Sequence, residues 1–501
     1  MMLSRRNFLK VFGVSGLSFS GLATTLAKAP PGTFAPAQIG ERDPIQHIIN
    51  RLTFGPQPGL YDYISQIGVD EFIERQLDYE SIQDNETDHR LQAFPLINEH
   101  GGDLIADMDN NRRRVLIDLI GSWLTRAIYS NRQLYERMVH FWSDHFNVYI
   151  NKGPVLFLKL DDDRDHIRPN AMLSFIDVLR ASAQSPAMLF YLDNALSNDF
   201  APNENYGREL LELHTLGVNG GYTEDDVKAV SRVFTGWSIT NFREPNSPPG
   251  RFIFRRVAHD SREAIVLGEV IPANSGIDAG YQVLEILAKH PSTAQFISSK
   301  LIRRFVADTP PQSLVDLCTQ VYLDTGGDIK SLLREIFRSD EFWQAPPKFK
   351  RPFEYVVGLL RVLNYDVQRP RRFYETVAYL LISMGHLPFN WPAPNGYPDV
   401  GRYWMDNLLP RWNAALAAMF YDEDDTSPDY TGLVAMLQNA GVINDAEAAL
   451  QFMARYMLGR ELTGDELTIT FEFMRGSTDD LWEQLILGTV LILASPAFQY
   501  K

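Results

Sequence analysis

Two histidines on apolar helix faces are the side chains in this sequence with the clearest capacity for chemistry. His145 lies in the segment NRQLYERMVHFWSDHFNVYI, and His214 lies in NENYGRELLELHTLG. At about 100° per residue around a helix axis, both imidazoles fall among aromatic and aliphatic side chains. A buried imidazole requires a hydrogen-bond partner or a ligand. The pattern therefore leaves two interpretations open, a satisfied core histidine and a metal ligand.

A third histidine, His259, precedes Asp260 in the segment RFIFRRVAHDSREAIVLG (residues 251–268). The β-branched and aromatic runs on either side of HDSR predict a single small β-hairpin with these two residues at its turn. Imidazoles and carboxylates from separate segments suit a divalent ion such as zinc, manganese or iron. His145, His214 and His259 are therefore the predicted metal ligands, and their spacing matches no established metal-binding motif.

Polar residues near these histidines supply the remaining candidates. A metal-bound water is a nucleophile at neutral pH, so such a site favours hydrolysis. The predicted catalytic residues are Glu209, Glu212, Asp260 and Arg208, and the predicted cofactor-contacting residues are Asp193, Asn194, Asn205 and His140. On a regular helix His140 points about 140° away from His145, which disfavours joint binding of one ion. One alternative is a haem with His145 as axial ligand. The other is a non-catalytic helical scaffold that binds a partner protein or a polysaccharide, with these residues used for packing and capping.

The first residues carry the pattern of an export signal. The run SRRNFLK (residues 4–10) matches the twin-arginine consensus, and a weakly apolar stretch leads to small residues at Ala27 and Ala29. This pattern predicts a twin-arginine signal peptide over residues 1–29, a linker over residues 30–42 and a periplasmic or extracellular location. Because this route exports folded proteins, it favours a cofactor that is loaded in the cytoplasm.

Charge and cysteine content exclude several classes of function. The formal charge is -16 at pH 7, and removal of residues 1–29 takes away four cations and no acids, which leaves about -20. This acidity argues against nucleic acid or anionic lipid as a partner. Cys318 is the only cysteine, so neither an intramolecular disulfide nor a multi-cysteine metal site can form. After the leader, no apolar run is long enough to predict a transmembrane segment.

From Asp43 onward, apolar residues recur at three- and four-residue spacing, with stops at Gly and Pro. This periodicity predicts a predominantly α protein with a multi-helical, bundle-like architecture and the hairpin as its one β insertion. We expect an N-terminal helical region over residues 43–345 and a C-terminal helical region over residues 346–501. The proline-rich stretch LPFNWPAPNGYPDVGRYW (residues 387–404), called the strap below, is predicted to be an ordered connection between helical halves.

A series of motifs resembles a known family. They are RLTFGP (51–56), HFWSDHF (140–146), YLDN (191–194), NENYGRELLELHTLGVNGGYTEDDV (203–227), FTGW (234–237), HD (259–260), HPSTAQFISSKLIRRFV (290–306), RPFEYVVGLLR (351–361) and NGYPDVGRYW (395–404). On these motifs the sequence resembles the domain-of-unknown-function 1800 family over most of the chain after the leader. The candidate residues named above lie at the matching motif positions.

The resemblance implies an exported, helical bacterial protein of a family without an established activity. Such proteins are often encoded beside a sulfatase-like family, which implies a sulfatase-like partner protein and a role in envelope or exopolysaccharide metabolism. The sequence departs from the family pattern at Gly207, where alanine is more common, and at His386, where glutamine is usual. Ala264 stands where the family often has lysine, so no catalytic part is carried over to that position.

Overall fold

The computed structural model of the protein describes residues 16–38, 42–241, 248–367, 369–420, 430–478 and 480–501. These residues form a predominantly α fold with two small two-stranded sheets, which confirms the predicted fold class. The twin-arginine run at residues 4–10 lies outside the described residues. Within the described part of the chain, no helix combines the length and apolar character that crossing a membrane requires.

The helices follow one another through the whole described chain. They are α1 Gly16–Lys28, α2 Pro44–Leu52, α3 Leu60–Ile67, α4 Val69–Leu77, α5 Asn85–Leu91, α6 Gly101–Leu104, α7 Met108–Tyr129, α8 Gln133–His145, α9 Val155–Asp161, α10 Phe175–Gln184, α11 Pro186–Tyr191, α12 Glu204–Glu209, α13 Glu224–Val233, α14 Ile277–Lys289, α15 Pro291–Phe305, α16 Gln312–Thr325, α17 Ile329–Arg338, α18 Asp340–Trp343, α19 Pro352–Val362, α20 Pro370–Ser383, α21 Leu408–Phe420, α22 Tyr430–Asn439, α23 Ala446–Leu458, α24 Gly464–Arg475, α25 Leu481–Ala494 and α26 Pro496–Gln499. Two π-helical turns, Asp162–Ile167 and Leu210–Thr215, continue α9 and α12.

Capping residues in the sequence set many of the helix limits. Thr223 and Asp226 form a reciprocal capping box at the start of α13, which satisfies backbone N–H groups that the first turn leaves unpaired. Gly326 ends α16 in the left-handed conformation, with φ 69°, where glycine carries no side-chain penalty. Such local signals determine where these helices begin and end.

The β structure differs from the predicted single hairpin over residues 251–268. Strand β1 (Trp237–Ile239) pairs with β2 (Phe252–Phe254), and β3 (Ala264–Val266) pairs with β4 (Glu269–Ile271). The run before His259 therefore pairs with a strand that precedes it in the chain, and the run after His259 pairs with the strand that follows it. The tight turn of the second hairpin is formed by Leu267 and Gly268, which both have positive φ, as a two-residue hairpin turn of the twisted type requires.

One continuous hydrophobic core joins the two predicted helical regions. Buried side chains from Leu22 in α1 to Phe498 in α26 belong to a single contacting cluster. Phe34, in the predicted linker, is fully buried, and its backbone N–H donates to Glu466 (2.6 Å) in α24. Parts of the predicted leader and linker therefore pack against the C-terminal helices. A second, smaller cluster lies at the strap and consists of Phe349, Tyr397 and Trp404 with Trp391 and Tyr500.

Candidate functional site

A π-helical turn determines where His214 points. The sequence predicts an α-helix through this residue, whereas residues Leu210–Thr215 form a π-turn. The N–H of Leu216 donates to the carbonyl of Leu211 (2.9 Å), five residues back. Because an i→i+5 turn rotates less per residue than an α-turn, it changes the angle between His214 and the preceding Glu209. Such turns are frequent at functional sites.

The buried His145 and His214 and the partly buried Lys300 form a polar group between α8, the π-turn and α15. The imidazole centroids of the two histidines lie 6.1 Å apart. His145 Nε2 lies 3.0 Å from the carbonyl oxygen of His214 and its Nδ1 lies 2.8 Å from Lys300 Nζ. Since a carbonyl only accepts, Nε2 must carry the proton, and Nδ1 must accept from the Lys300 amine. The contacts therefore fix both the tautomer and the orientation of this ring.

The electrostatics of this group favour neutral imidazoles beside a lysine amine of lowered pKa. Burial lowers the pKa of Lys300 to about 8. Burial and the Lys300 charge lower the pKa of His214 to about 3, and the same two causes hold the pKa of His145 well below its ordinary value. His214 Nε2 is buried and has no hydrogen-bond partner among the described residues. The group thus combines an amine of unusually low basicity with an unused imidazole nitrogen.

The predicted three-histidine metal site is not assembled in the described residues. They contain no group of three or more His, Cys, Asp or Glu side chains arranged to hold a metal ion. The one lone pair that the His145 ring has free for a metal faces the Lys300 amine. His259 Nδ1 donates to the carbonyl of Thr235 (3.0 Å), and its ring packs against Phe254. The donor set does not fit a bound divalent ion, because a cationic amine holds the position that the ion requires.

Among the predicted catalytic residues, Glu209 is the one whose carboxylate is not bound by another described side chain. It is partly buried and forms no hydrogen bond or ion pair with another described residue. Burial and the neighbouring charge of Glu212 raise its pKa. By contrast, Arg208 binds Glu224 at 2.8 Å and lies 3.7 Å from Glu212. Arg208 therefore belongs to a surface ion cluster, and Glu209 remains available as a proton carrier.

Asp260 is held as a permanent anion. Its carboxylate accepts from Arg232 (2.8 Å) and Arg262 (2.5 Å), and these bonds place its pKa far below the ordinary value. Its backbone N–H donates to Thr235 Oγ1 (2.8 Å). A carboxylate that stays ionised throughout the physiological range exchanges no protons. Asp260 therefore anchors the loop after β2 to the FTGW motif.

The predicted cofactor-contacting residues chiefly bind the protein itself. Asn194 donates from Nδ2 to the carbonyl of Phe234 (3.1 Å), Asn205 donates to a carbonyl of the YLDN motif, and Asp193 pairs with Lys152 (2.7 Å).

The ring of His140 is enclosed by aromatic rings, with Trp123, Phe353 and Phe54 at centroid distances of 4.0, 4.6 and 5.0 Å. These motif residues thus connect neighbouring segments of the fold.

Sequence reasoning missed Lys300 and the ionic network beside it. Asp144 Oδ2 accepts from Arg304 (3.0 Å) and Arg351 (2.6 Å), and Arg304 also pairs with Asp399 of the strap (2.7 Å). Lys300 and Arg304 both lie in the motif HPSTAQFISSKLIRRFV. Two cations four residues apart share one face of a helix. That spacing, within a motif that also carries Arg303, was the available signal for this group.

The strap closes over the end of α8 beside these charges. Asn147 Nδ2 donates to the carbonyl of Trp391 (3.0 Å). A Cβ at Gly396 would stand 2.0 Å from the carbonyl of Asp144, and φ there is 70°, so this approach requires glycine. The rings of Trp391 and Tyr403 lie 5.9 Å apart, and Tyr403 is half exposed. The strap therefore presents aromatic surface next to the ionic network.

Comparison with known proteins identifies a family and nothing narrower. A family model described as "Protein of unknown function (DUF1800)" matches residues 47–500. No curated protein and no solved structure shows significant similarity to the chain. The match covers the π-turn, Lys300 and the strap, so the whole site lies inside the family's shared region.

Proposed function

We propose that this chain, which belongs to the DUF1800 family of proteins of unknown function, is an exported enzyme that works by acid–base catalysis. The observation that carries the proposal is the 2.8 Å contact between Lys300 Nζ and His145 Nδ1. A lysine amine is strongly basic in water, and burial makes it a useful proton carrier by lowering its pKa. With the pKa of Lys300 lowered to about 8, about a tenth of its amines are neutral at pH 7.

In this proposal the neutral Lys300 amine accepts a proton from a substrate hydroxyl, water or C–H group. The resulting ammonium returns that proton to the leaving group. His145 is a positioning residue, since its Nε2–H bond to the His214 carbonyl aims Nδ1 at the amine. Glu209, with its raised pKa and free carboxyl, is the second proton carrier. Titratable groups with shifted pKa values are typical of acid–base sites.

We infer a polysaccharide of the cell envelope or cell surface as the substrate class. The aromatic surface of Trp391 and Tyr403 on the strap supports this inference, because planar rings next to charged groups suit the apolar faces and hydroxyls of sugars. The twin-arginine pattern at residues 4–10 supports a periplasmic or extracellular location, where such polymers lie.

A second candidate function is a non-catalytic scaffold for the same class of polymer. It is favoured by the bonds of Asn194, Asn205 and Asp260, which tie motif to motif within the protein. Under this alternative the strap binds the polymer, and Lys300 contributes only a charge. The two candidates differ in whether the Lys300 amine loses its proton near neutral pH and whether turnover depends on it.

We expect Lys300 to react with acetic anhydride with a midpoint near pH 8, because its pKa is lowered to about 8. Site-resolved mass spectrometry of the folded protein measures this midpoint. A midpoint near 10.4, the ordinary value for lysine, would contradict the proposal. Lys300→Met, examined by circular dichroism, checks that the amine is not needed for folding.

Activity gives the second readout. Release of new reducing ends is measured on one neutral and one anionic bacterial polysaccharide. Lys300→Arg is expected to lower turnover by about 100-fold or more, which is the usual contribution of a proton-transfer group. Lys289→Arg, a conservative change at an exposed lysine of α14, is the matched control. Polymer binding that survives Lys300→Met, without turnover by the unmodified protein, would favour the scaffold.

A further inference from the structure

Three large apolar side chains stand almost fully exposed on two neighbouring loops. The exposed fractions are 82% for Leu196, 92% for Phe200 and 94% for Val257. Single exposed apolar residues are normal on protein surfaces, whereas a group of them marks an interaction site. We call residues 196–200 and 255–258 the loop-tip patch.

Backbone hydrogen bonds hold the two loops of the patch against each other. The N–H of Asp199 donates to the carbonyl of Ala258 (2.9 Å), which joins the loops directly. Gly236 joins them a second time, because its N–H donates to Ser197 (3.2 Å) and its carbonyl accepts from the N–H of Arg255 (2.7 Å). The outward direction of the three side chains is therefore set by a fixed framework.

The charge around the patch is opposite in sign to that of the whole chain. Arg256 is exposed and forms no ion pair with another described residue. Arg262 is 70% exposed and lies near Asp199, and the buried Asp260 is neutralised by both Arg262 and Arg232. Exposed charges act over about one Debye length, roughly 8–10 Å. The local excess of arginine, rather than the formal charge of -16, therefore governs contact at this surface.

We propose that the loop-tip patch binds the surface of an anionic lipid bilayer, with Leu196, Phe200 and Val257 inserted between the headgroups. A stable protein interface buries about 800 Å² on each partner across a broad face, and three protruding side chains offer no such face. Apolar side chains at membrane depth, with arginines at the level of the lipid phosphates, form a peripheral membrane contact. The proposal replaces the expectation, drawn from total charge, that anionic lipid is excluded as a partner.

Vesicle flotation of the full chain tests the proposal. Vesicles of phosphatidylcholine with phosphatidylglycerol are compared with vesicles of phosphatidylcholine alone. We expect preferential binding to the anionic vesicles, weakened by salt, and a loss of at least about tenfold in the double variant Phe200→Ser, Val257→Ser. Val218→Ser, at another exposed apolar residue (65%), is the matched control and is expected to bind like the unmodified chain.

A local probe separates this patch from any contribution of the leader to vesicle binding. The variant Phe200→Cys carries an environment-sensitive fluorophore on the new thiol, while Cys318 is buried and remains unlabelled. The fluorophore is expected to shift to the blue on anionic vesicles, and the same fluorophore on Val218→Cys is not. No shift at position 200, or self-association of the chain that the double variant abolishes, would overturn the proposal.

Discussion

Acidification from pH 7 to about pH 5 is expected to unfold the protein in a steep transition. This expectation rests on five buried histidines, and burial holds the pKa of each below its ordinary value. They are His47, His140, His145, His214 and His386. For His47 and His214 the lowered pKa is about 3. The folded protein therefore keeps these rings neutral at a pH where the unfolded chain protonates them.

The direction and size of the effect follow from proton binding. The ordinary pKa of histidine is about 6.5, and the pKa values in the folded protein are lower. Between these two limits the unfolded chain binds more protons than the folded protein, so the free energy of unfolding decreases as the pH is lowered. Each proton contributes about 1.36 kcal/mol per pH unit, and five contribute roughly 7 kcal/mol per unit. A total stability of about 5–15 kcal/mol is then lost within one to two units. Glu354 and Asp399 have lowered pKa values, so they act at lower pH.

A single replacement measures the share of one ring. His140 is surrounded by aromatic rings, and phenylalanine has a similar shape without a titrating nitrogen. His140→Phe is expected to reduce the proton uptake on unfolding at pH 6 by roughly three quarters of a proton, because a free imidazole has a pKa of about 6.5. Denaturant unfolding followed by circular dichroism gives the free energy of unfolding at half-unit steps of pH. The slope of this free energy against pH gives the proton uptake. An uptake that equals that of the unmodified chain would show that His140 is already protonated when folded.

The periodic part of the fold was predictable because it is local. Apolar spacing and capping residues such as Thr223 and Asp226 act within a few residues of the helix that they begin. The helical class and the longer helices were therefore accessible from the sequence. The short helices Val155–Asp161 and Pro186–Tyr191 were not, because a helix of one or two turns offers too few residues for a period to emerge.

The candidate site was only partly predictable because it depends on tertiary contacts. The importance of His145 and His214 follows from their apolar faces, but their partner Lys300 comes from a helix more than eighty residues further along the chain. The π-turn at Leu210–Thr215 has no periodic signal that separates it from an α-helix. The predicted strand pairing was wrong for the same reason. The run Phe252–Phe254 pairs with β1, which comes earlier in the chain, and not with the run that follows it.

Replacement of Glu354 by glutamine is expected to cost about 3–5 kcal/mol of stability at pH 7.5, which is typical for breaking a buried ion pair. The Glu354 side chain is 4% exposed and faces Arg137 at 3.1 Å and Lys501. It also accepts from the backbone N–H of Arg351 (3.0 Å), which caps α19. Burial alone would raise its pKa, but the charges of Lys501, Arg137 and Arg351 outweigh burial and hold the pKa well below the ordinary value.

The reason for the large cost is the pair of cations that Glu354→Gln leaves behind. An uncharged amide keeps the shape and one acceptor, while Arg137 and Lys501 remain buried without their counter-ion. The second variant Arg137→Met, combined with Glu354→Gln, removes one of these cations and is expected to recover part of the loss. Glu285→Gln, in a surface pair with Arg180 and Lys289, is the control and should cost about 1 kcal/mol or less. Urea midpoints compare the variants, and equal costs at positions 354 and 285 would mean that the buried network does not stabilise the fold through its charges.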